Sequence, residues 1–218
     1  MLNTKDRRSL ERLTEEWKDR LERYGMRLNL DKTEYMPSGC AAPSPIISID
    51  GKQLTTTNGF TYLGSRLAHD GSTLPDASLR TNAAWTKWRE TTGVLCDKKM
   101  PVRLKSKIYR SVIRPVDLYG TECWPTTKAV ENTLNATEMK MLRWSLGYTR
   151  KDKKKNTDVR KWMGVAPIAE KLREGRLRWF GHVMRRDENS VCRSAFDLRV
   201  AGQRPRRRPK TRWMDTVS

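Results

Sequence analysis

Apolar residues recur every three or four positions near the start of the chain and again through most of it after about residue 74. This spacing is typical of helices with one packed face. Gly25 suits a helix end, and Pro115 is expected to kink or shorten the helix that contains it. The pattern predicts helices over 6–24, 76–97, 101–119, 127–147, 156–163 and 167–186.

The stretch between the first two helices has a different pattern. Residues 26–36 alternate well enough to predict a strand or a strand–turn–strand, and the Pro- and Gly-containing residues 37–45 predict a loop. An Asp50-Gly51 turn predicts a hairpin over 46–54, and residues 60–63 predict a strand closed by Gly64. The fold class is therefore predicted to be α+β and mainly α.

Helical phase also predicts which side chains face inward. The Trp residues could build core or stack on nucleic-acid bases, and helical spacing favours core. The expected inward positions are Trp85, Trp88, Thr92, Leu95, Tyr109, Val112, Val116, Tyr119, Val130, Leu134, Thr137, Met141, Trp144, Ile168, Leu172, Trp179 and Val183.

The charge balance narrows the choice of partner. The 218 residues carry 45 Lys and Arg against 25 acidic residues, a net charge of +20. Such a field costs self-repulsion unless a polyanion neutralises it, so nucleic acid is the favoured partner. An acidic protein or a membrane surface would also fit the charge alone.

Other chemistry is less prominent in the sequence. The four Cys are far apart without a CxxC, and neither His lies near a Cys, so we expect no metal site. No apolar run approaches the roughly 20 residues of a membrane span, and no signal-peptide pattern begins the chain. We expect an intracellular protein of the nucleus or the cytoplasm, with no membrane contact and an oligomeric state that the sequence does not define.

Several segments, taken in order, resemble one family. Tyr24-Gly-Met-Arg-Leu-Asn-Leu-Asp-Lys-Thr-Glu34 is similar to the motif D region of non-LTR retrotransposon reverse transcriptases, and Phe60-Thr-Tyr-Leu-Gly-Ser65 is similar to the strand after it. Residues 104–124 resemble the thumb signature. Further landmarks of the endonuclease–reverse transcriptase type of element are similar to residues 141–144, 176–186 and 206–213.

The resemblance implies three parts: a residual palm over 1–73, a thumb-like helical bundle over 74–149, and a basic C-terminal module with a flexible arm over 150–218. It also implies that the parent family has RNA-directed DNA polymerase activity, with Mg²⁺ ions held by an aspartate motif. Met1-Leu-Asn-Thr-Lys5 resembles the segment that directly follows this motif in the family, so we expect the motif to precede the residues matched here. No adjacent Asp-Asp pair occurs here, so we expect no cofactor and no complete catalytic site in this chain. The alternatives left open are a pseudogene product without a role, or a structural or interaction module with inherited basic charge.

The candidate site residues follow from charge and from the resemblance. Lys32 matches the motif D lysine, which is placed near the incoming nucleotide in such polymerases, although it could equally be a turn lysine. His182 is expected to pack or cap. The residues expected to make non-specific phosphate contacts with RNA or DNA are Arg103, Lys105, Lys107, Arg110, Lys171, Arg176, Arg178, Arg185, Arg186, Arg204, Arg206, Arg207, Arg208, Lys210 and Arg212. A solvated helix face is the alternative for the thumb-like group, and a nuclear import signal is an alternative or added role for 204–212.

Overall fold

The chain divides into two compact units in the computed structural model, which describes residues 1–4, 6–38, 46–197 and 211–217. The N-terminal unit comprises Met1–Ser72, and the helical unit comprises Thr73–Ser218. Helices dominate and the strands are short, so the predicted α+β, mainly α fold is confirmed. The three-part functional division stays a prediction. None of the described helices combines the length and apolarity needed to cross a bilayer.

One helix and three small two-stranded sheets make up the N-terminal unit. Helix α1 covers Arg7–Arg23, and the Asp6 side chain accepts the Ser9 backbone N–H at 2.9 Å at its start. The strands are β1 (Glu34–Tyr35), β2 (Ser48–Ile49), β3 (Lys52–Gln53), β4 (Thr55–Thr56), β5 (Gly59–Tyr62) and β6 (Ser65–Ala68). Strand β1 runs parallel to β4, while β2–β3 and β5–β6 are antiparallel hairpins.

Both hairpin turns in this unit use left-handed backbone. Asp50 and Gly51 have φ of 52° and 74°, which confirms the predicted hairpin and matches the twist of its strands. Leu63 and Gly64 have φ of 48° and 81° and join β5 to β6. The sequence predicted β5 but missed β6, because the Leu63-Gly64 turn lacks the usual Asn or Asp signal.

The extended segment predicted over 26–36 is mostly wrong. Residues Leu30–Lys32 form a turn of 3₁₀ helix, and only the short β1 follows it. The Asn29 side chain accepts the backbone N–H groups of Asp31 and Lys32 at 3.1 and 3.3 Å. This local bonding stabilises a turn where alternation alone predicted a strand.

Seven helices form most of the described part of the helical unit. They are α2 (Leu74–Leu95), α3 (Val102–Ile108), α4 (Arg114–Asp117), α5 (Lys128–Ser145), α6 (Asn156–Met163), α7 (Ile168–Met184) and α8 (Val191–Asp197). A turn of π helix, Tyr109–Ile113, joins α3 to α4. Helix α8 was not predicted, because its seven residues are too few to display a clear apolar stripe.

Helices α2 and α5 lie at the centre of two apolar clusters. One cluster packs the buried side chains of Trp88, Leu95, Tyr109 and Leu142 with residues of α6. The other joins Ala77 and Leu134 to Trp124, Ile168 and Leu172. Burial of apolar surface on both sides of α5 therefore fixes that helix between α2, α6 and α7.

The inward face predicted for 101–119 is correct at Tyr109 and wrong further on. Val112 and Tyr119 are 38% and 55% exposed, whereas Ile113 and Asp117 are buried. Pro115 has no N–H to give the preceding turn, and the chain accommodates this as the π turn. The wider turn rotates the residues after it, so different side chains reach the core.

The structure shows the surroundings of two Trp residues, Trp144 and Trp213. Trp144 was predicted to face inward but is 54% exposed, with its ring 6.3 Å from those of Trp85 and Trp88. Trp213 docks by donating its indole N–H to the Glu122 carbonyl at 2.6 Å.

Candidate nucleic-acid interface

Three of the predicted phosphate-binding residues share one solvent-facing surface. Arg103, Lys107 and Arg110 follow one another by four and three positions along α3 and the π turn, and all three are exposed. None of the three has an ion pair with an acidic residue in the described ranges. The exposed surface thus presents uncompensated positive charge.

Two other predicted contacts lie inside the helical unit. The Lys105 ammonium is buried and donates to the Ser145 carbonyl at 2.8 Å. The Arg176 guanidinium is also buried, and it donates to the Thr216 carbonyl at 3.0 Å and to the Thr126 hydroxyl. Each cation donates a hydrogen bond to a carbonyl oxygen at the end of a helical segment, so neither is available to bind phosphate in this arrangement.

The predicted stripe on α7 is partly neutralised. Lys171 and Arg178 each pair with Glu174 at 2.6 Å. The hydrogen bond from Lys171 is the main reason that the pKa of the Glu174 carboxyl is lowered. Arg185 and Arg186 are exposed at the end of the helix.

His182 packs, as the sequence predicted. Its ring stacks on that of Trp179, with centroids 5.5 Å apart, and its Nε2 lies 3.0 Å from the Arg186 guanidinium. An arginine only donates hydrogen bonds, so Nε2 is the acceptor in this contact.

The remaining candidates divide between described and undescribed residues. Arg204, Arg206, Arg207, Arg208 and Lys210 lie outside the described residues. Arg212 is exposed and pairs with Asp215 at 3.3 Å.

Lys32 is exposed in the turn Leu30–Lys32 of the N-terminal unit. In the described ranges no three His, Cys, Asp or Glu side chains converge as metal ligands would.

A buried charged network lies at the centre of the helical unit. The Glu138 carboxylate is fully buried and accepts from Arg114 at 2.5 Å, from Arg160 at 3.1 Å and from the Tyr109 hydroxyl at 3.1 Å. Burial is the main cause of the strongly raised pKa of the Tyr109 hydroxyl, with the nearby Glu138 charge second. These arginines tie α4 and α6 to α5.

An open groove lies between α5 and the start of α6, and we name it the α5–α6 groove. The sequence did not predict it as a candidate site. It has a volume of about 650 Å³. Its cationic lining residues are Lys140, Arg143, Arg150, Lys153 and Lys154. The basic run 150–155 was visible in the sequence, but its approach to the solvent face of α5 depends on the folded path of residues 147–156.

Comparison with known proteins gives one informative match. No family model matches the chain, and no solved structure matches it. The chain is 26% identical over 174 residues to an uncharacterized transposon-derived protein of Caenorhabditis elegans. The match covers 75% of this chain, which spans 61% of the length of that relative. The likeness supports a transposon-related origin.

Proposed function

We propose that this chain binds RNA or DNA without sequence specificity, as the C-terminal part of a non-LTR retrotransposon reverse transcriptase. The observation that carries the proposal is the exposed surface of Arg103, Lys107 and Arg110, which form no salt bridge with a described acidic residue, on a chain of net charge +20. The motif order and the transposon-derived relative support the assignment to such an element.

Phosphate binding has a measurable signature. Each phosphate neutralised releases counterions, so the logarithm of the binding constant falls with the logarithm of salt concentration by about 0.7–0.9 per contact. The test is a fluorescence anisotropy titration of labelled RNA and DNA strands with the full chain across a salt series. A flat plot would contradict the proposal and favour an interaction module.

A charge-matched pair of variants makes the test specific. Changing Arg103, Lys107 and Arg110 to Gln should reduce the salt slope by about 2–3. The control variant changes three cations that already pair with acids three or four residues away: Arg7, Arg12 and Lys87. Equal slopes for the two variants would refute the assigned surface, because both lose the same charge.

The proposal includes no polymerase activity for the 218 residues alone. Two-metal nucleotidyl transfer needs carboxylates clustered around two cations, and the sequence has no adjacent Asp-Asp pair. Primer extension on an RNA template with Mg²⁺ tests this point. Template-dependent incorporation by the purified chain would overturn it without affecting the binding proposal.

A further inference from the structure

The lining of the α5–α6 groove combines positive charge with aromatic surface. Its described lining includes five Lys or Arg side chains and no acidic one. Trp144 and Tyr148 line the same groove. A one-sided charge in a concave surface concentrates anions, and the aromatic rings add a second, apolar kind of contact.

The wall of this groove is held by hydrogen bonds within the protein. The Arg143 guanidinium donates to the Lys154 carbonyl at 3.2 Å and to the Asn156 side-chain oxygen at 2.5 Å. It also lies 3.4 Å from the Met139 carbonyl. Arg143 therefore joins the solvent side of α5 to the start of α6, and the basic segment between them is fixed in shape.

The one acidic residue of segment 148–156 is already used by the turn. Asp152 accepts from the Thr149 backbone N–H at 2.6 Å and from the Thr149 hydroxyl at 2.7 Å. The bond from the backbone N–H is the main cause of the lowered pKa of this carboxyl. Lys153 follows with a φ of 49°, which reverses the chain. Among the described residues, Lys140, Lys153 and Lys154 form no salt bridge with an acidic side chain. The Lys154 charge makes a smaller contribution to the lowered pKa of Asp152.

Both aromatic rings of the groove contact other side chains of the protein. The Trp144 ring packs against the rings of Trp85 and Trp88, and 54% of the residue is exposed. The Tyr148 ring lies 5.4 Å from that of Trp162, with the Lys154 ammonium 5.7 Å from its centroid. Tyr148 is half-buried between these contacts, whereas the Trp144 ring is fixed by its neighbours and more than half exposed, so it is suited to stacking on a flat partner.

We propose that the α5–α6 groove binds single-stranded nucleic acid, with phosphates on its Lys and Arg side chains and a base stacked on Trp144 beside Tyr148. This inference rests on the proposed function and adds the strand state and the subsite. A duplex keeps its bases stacked on one another, so only a single strand can present base faces to the rings. The volume lies within the roughly 300–1,000 Å³ typical of small-ligand sites, which suits about one or two nucleotides of a strand.

The test compares a labelled oligouridylate with an RNA duplex of equal length, using the full chain and fluorescence anisotropy. Trp144→Leu should weaken single-strand binding by about 5- to 100-fold and change duplex binding by less than about threefold. Trp17→Leu is the matched control, because Trp17 is 46% exposed in the N-terminal unit. Equal losses in the two variants, or equal losses for strand and duplex, would overturn the inference.

A second variant keeps the test independent of the folding of Trp144→Leu. Changing the exposed Lys140 and Lys153 to Gln should lower the salt slope for the single strand by about 1.4. An unchanged slope would overturn the groove assignment while wild-type binding still supported the proposed function. Absence of wild-type binding to either nucleic acid would refute both. Polyglutamate that competes as well as the oligouridylate would instead assign the groove to acidic peptides and overturn the inference.

Discussion

The carboxyl group of Asp117 should make the helical unit less stable as the pH rises from about 5 to 8. Asp117 lies in α4 and is only 2% exposed, and its Oδ1 has no hydrogen-bond partner in the described structure. Burial first, and then the nearby charge of Glu138, raises its pKa from 3.8 to about 7, although Arg114 opposes the change. Arg114 itself is engaged by Glu138 and by the Ala166 carbonyl.

The size of the effect follows from the two pKa values. A folded pKa of about 7 against 3.8 when unfolded means that the folded chain binds the proton more tightly. The contribution to stability is therefore complete below about pH 3.8 and is lost as the pH rises through 7. At about 1.4 kcal/mol for each pKa unit the ceiling is about 4 kcal/mol, of which about 2–3 kcal/mol is lost between pH 5 and 8.

The perturbation that tests this is Asp117→Asn, which resembles the protonated carboxyl in shape and cannot ionise. We expect equal stability of the two proteins near pH 4, and an advantage for the variant that grows to about 3–4 kcal/mol at pH 8. Urea unfolding followed by Trp fluorescence reports on the helical unit, because every Trp except Trp17 lies in it. The variant of the exposed Asp187 to Asn controls for net charge. A pH-independent difference between Asp117→Asn and wild type would refute the raised pKa.

Three further substitutions test other packing interactions. Glu138→Leu leaves the buried Arg114 and the partly buried Arg160 without their carboxylate and should cost about 3–5 kcal/mol in urea unfolding; a loss below about 1 kcal/mol would contradict the network. Gly59→Ala places a Cβ 2.7 Å from the Leu67 carbonyl oxygen, so hydrogen exchange in the β5–β6 hairpin should quicken, and unchanged protection would count against it. Arg176→Leu should speed proteolysis at 211–217 without changing the salt slope of nucleic-acid binding, whereas a reduced slope would show that this arginine contacts phosphate.

The helices were predictable because their signals are local. The apolar spacing and the flanking residues of α6 and α7 predicted those elements within two residues of their bounds. The rotation after Pro115 was not predictable in the same way. A missing N–H can be accommodated by a kink, a break or a π turn, and the surrounding core decides which of these forms.

The candidate site was harder to predict, since charge patterns do not distinguish interior cations from exposed ones. Lys105 and Arg110 look equivalent in sequence, yet one bonds a buried carbonyl and the other faces solvent. Arg143 was hidden for the opposite reason. Its contacts to Lys154 and Asn156 span 11 and 13 positions, so helical periodicity could not indicate that it forms a groove wall.

The buried network and the α5–α6 groove are two sides of the same helix. One face of α5 directs Glu138 to Arg160 of α6, and the other directs Lys140 and Trp144 to the groove. The ion pair and the apolar cluster hold α6 against α5, and the 3₁₀ turn Arg150–Asp152 lies on the connection between them. Since the connection must span the gap that this packing sets, the shape of the basic surface depends on an ion pair that lies largely inside the helical unit. Loss of Glu138 should therefore weaken single-strand binding even where the unit remains folded. The groove would keep all its cations, but α6 and the connection would no longer be held in a fixed position against α5.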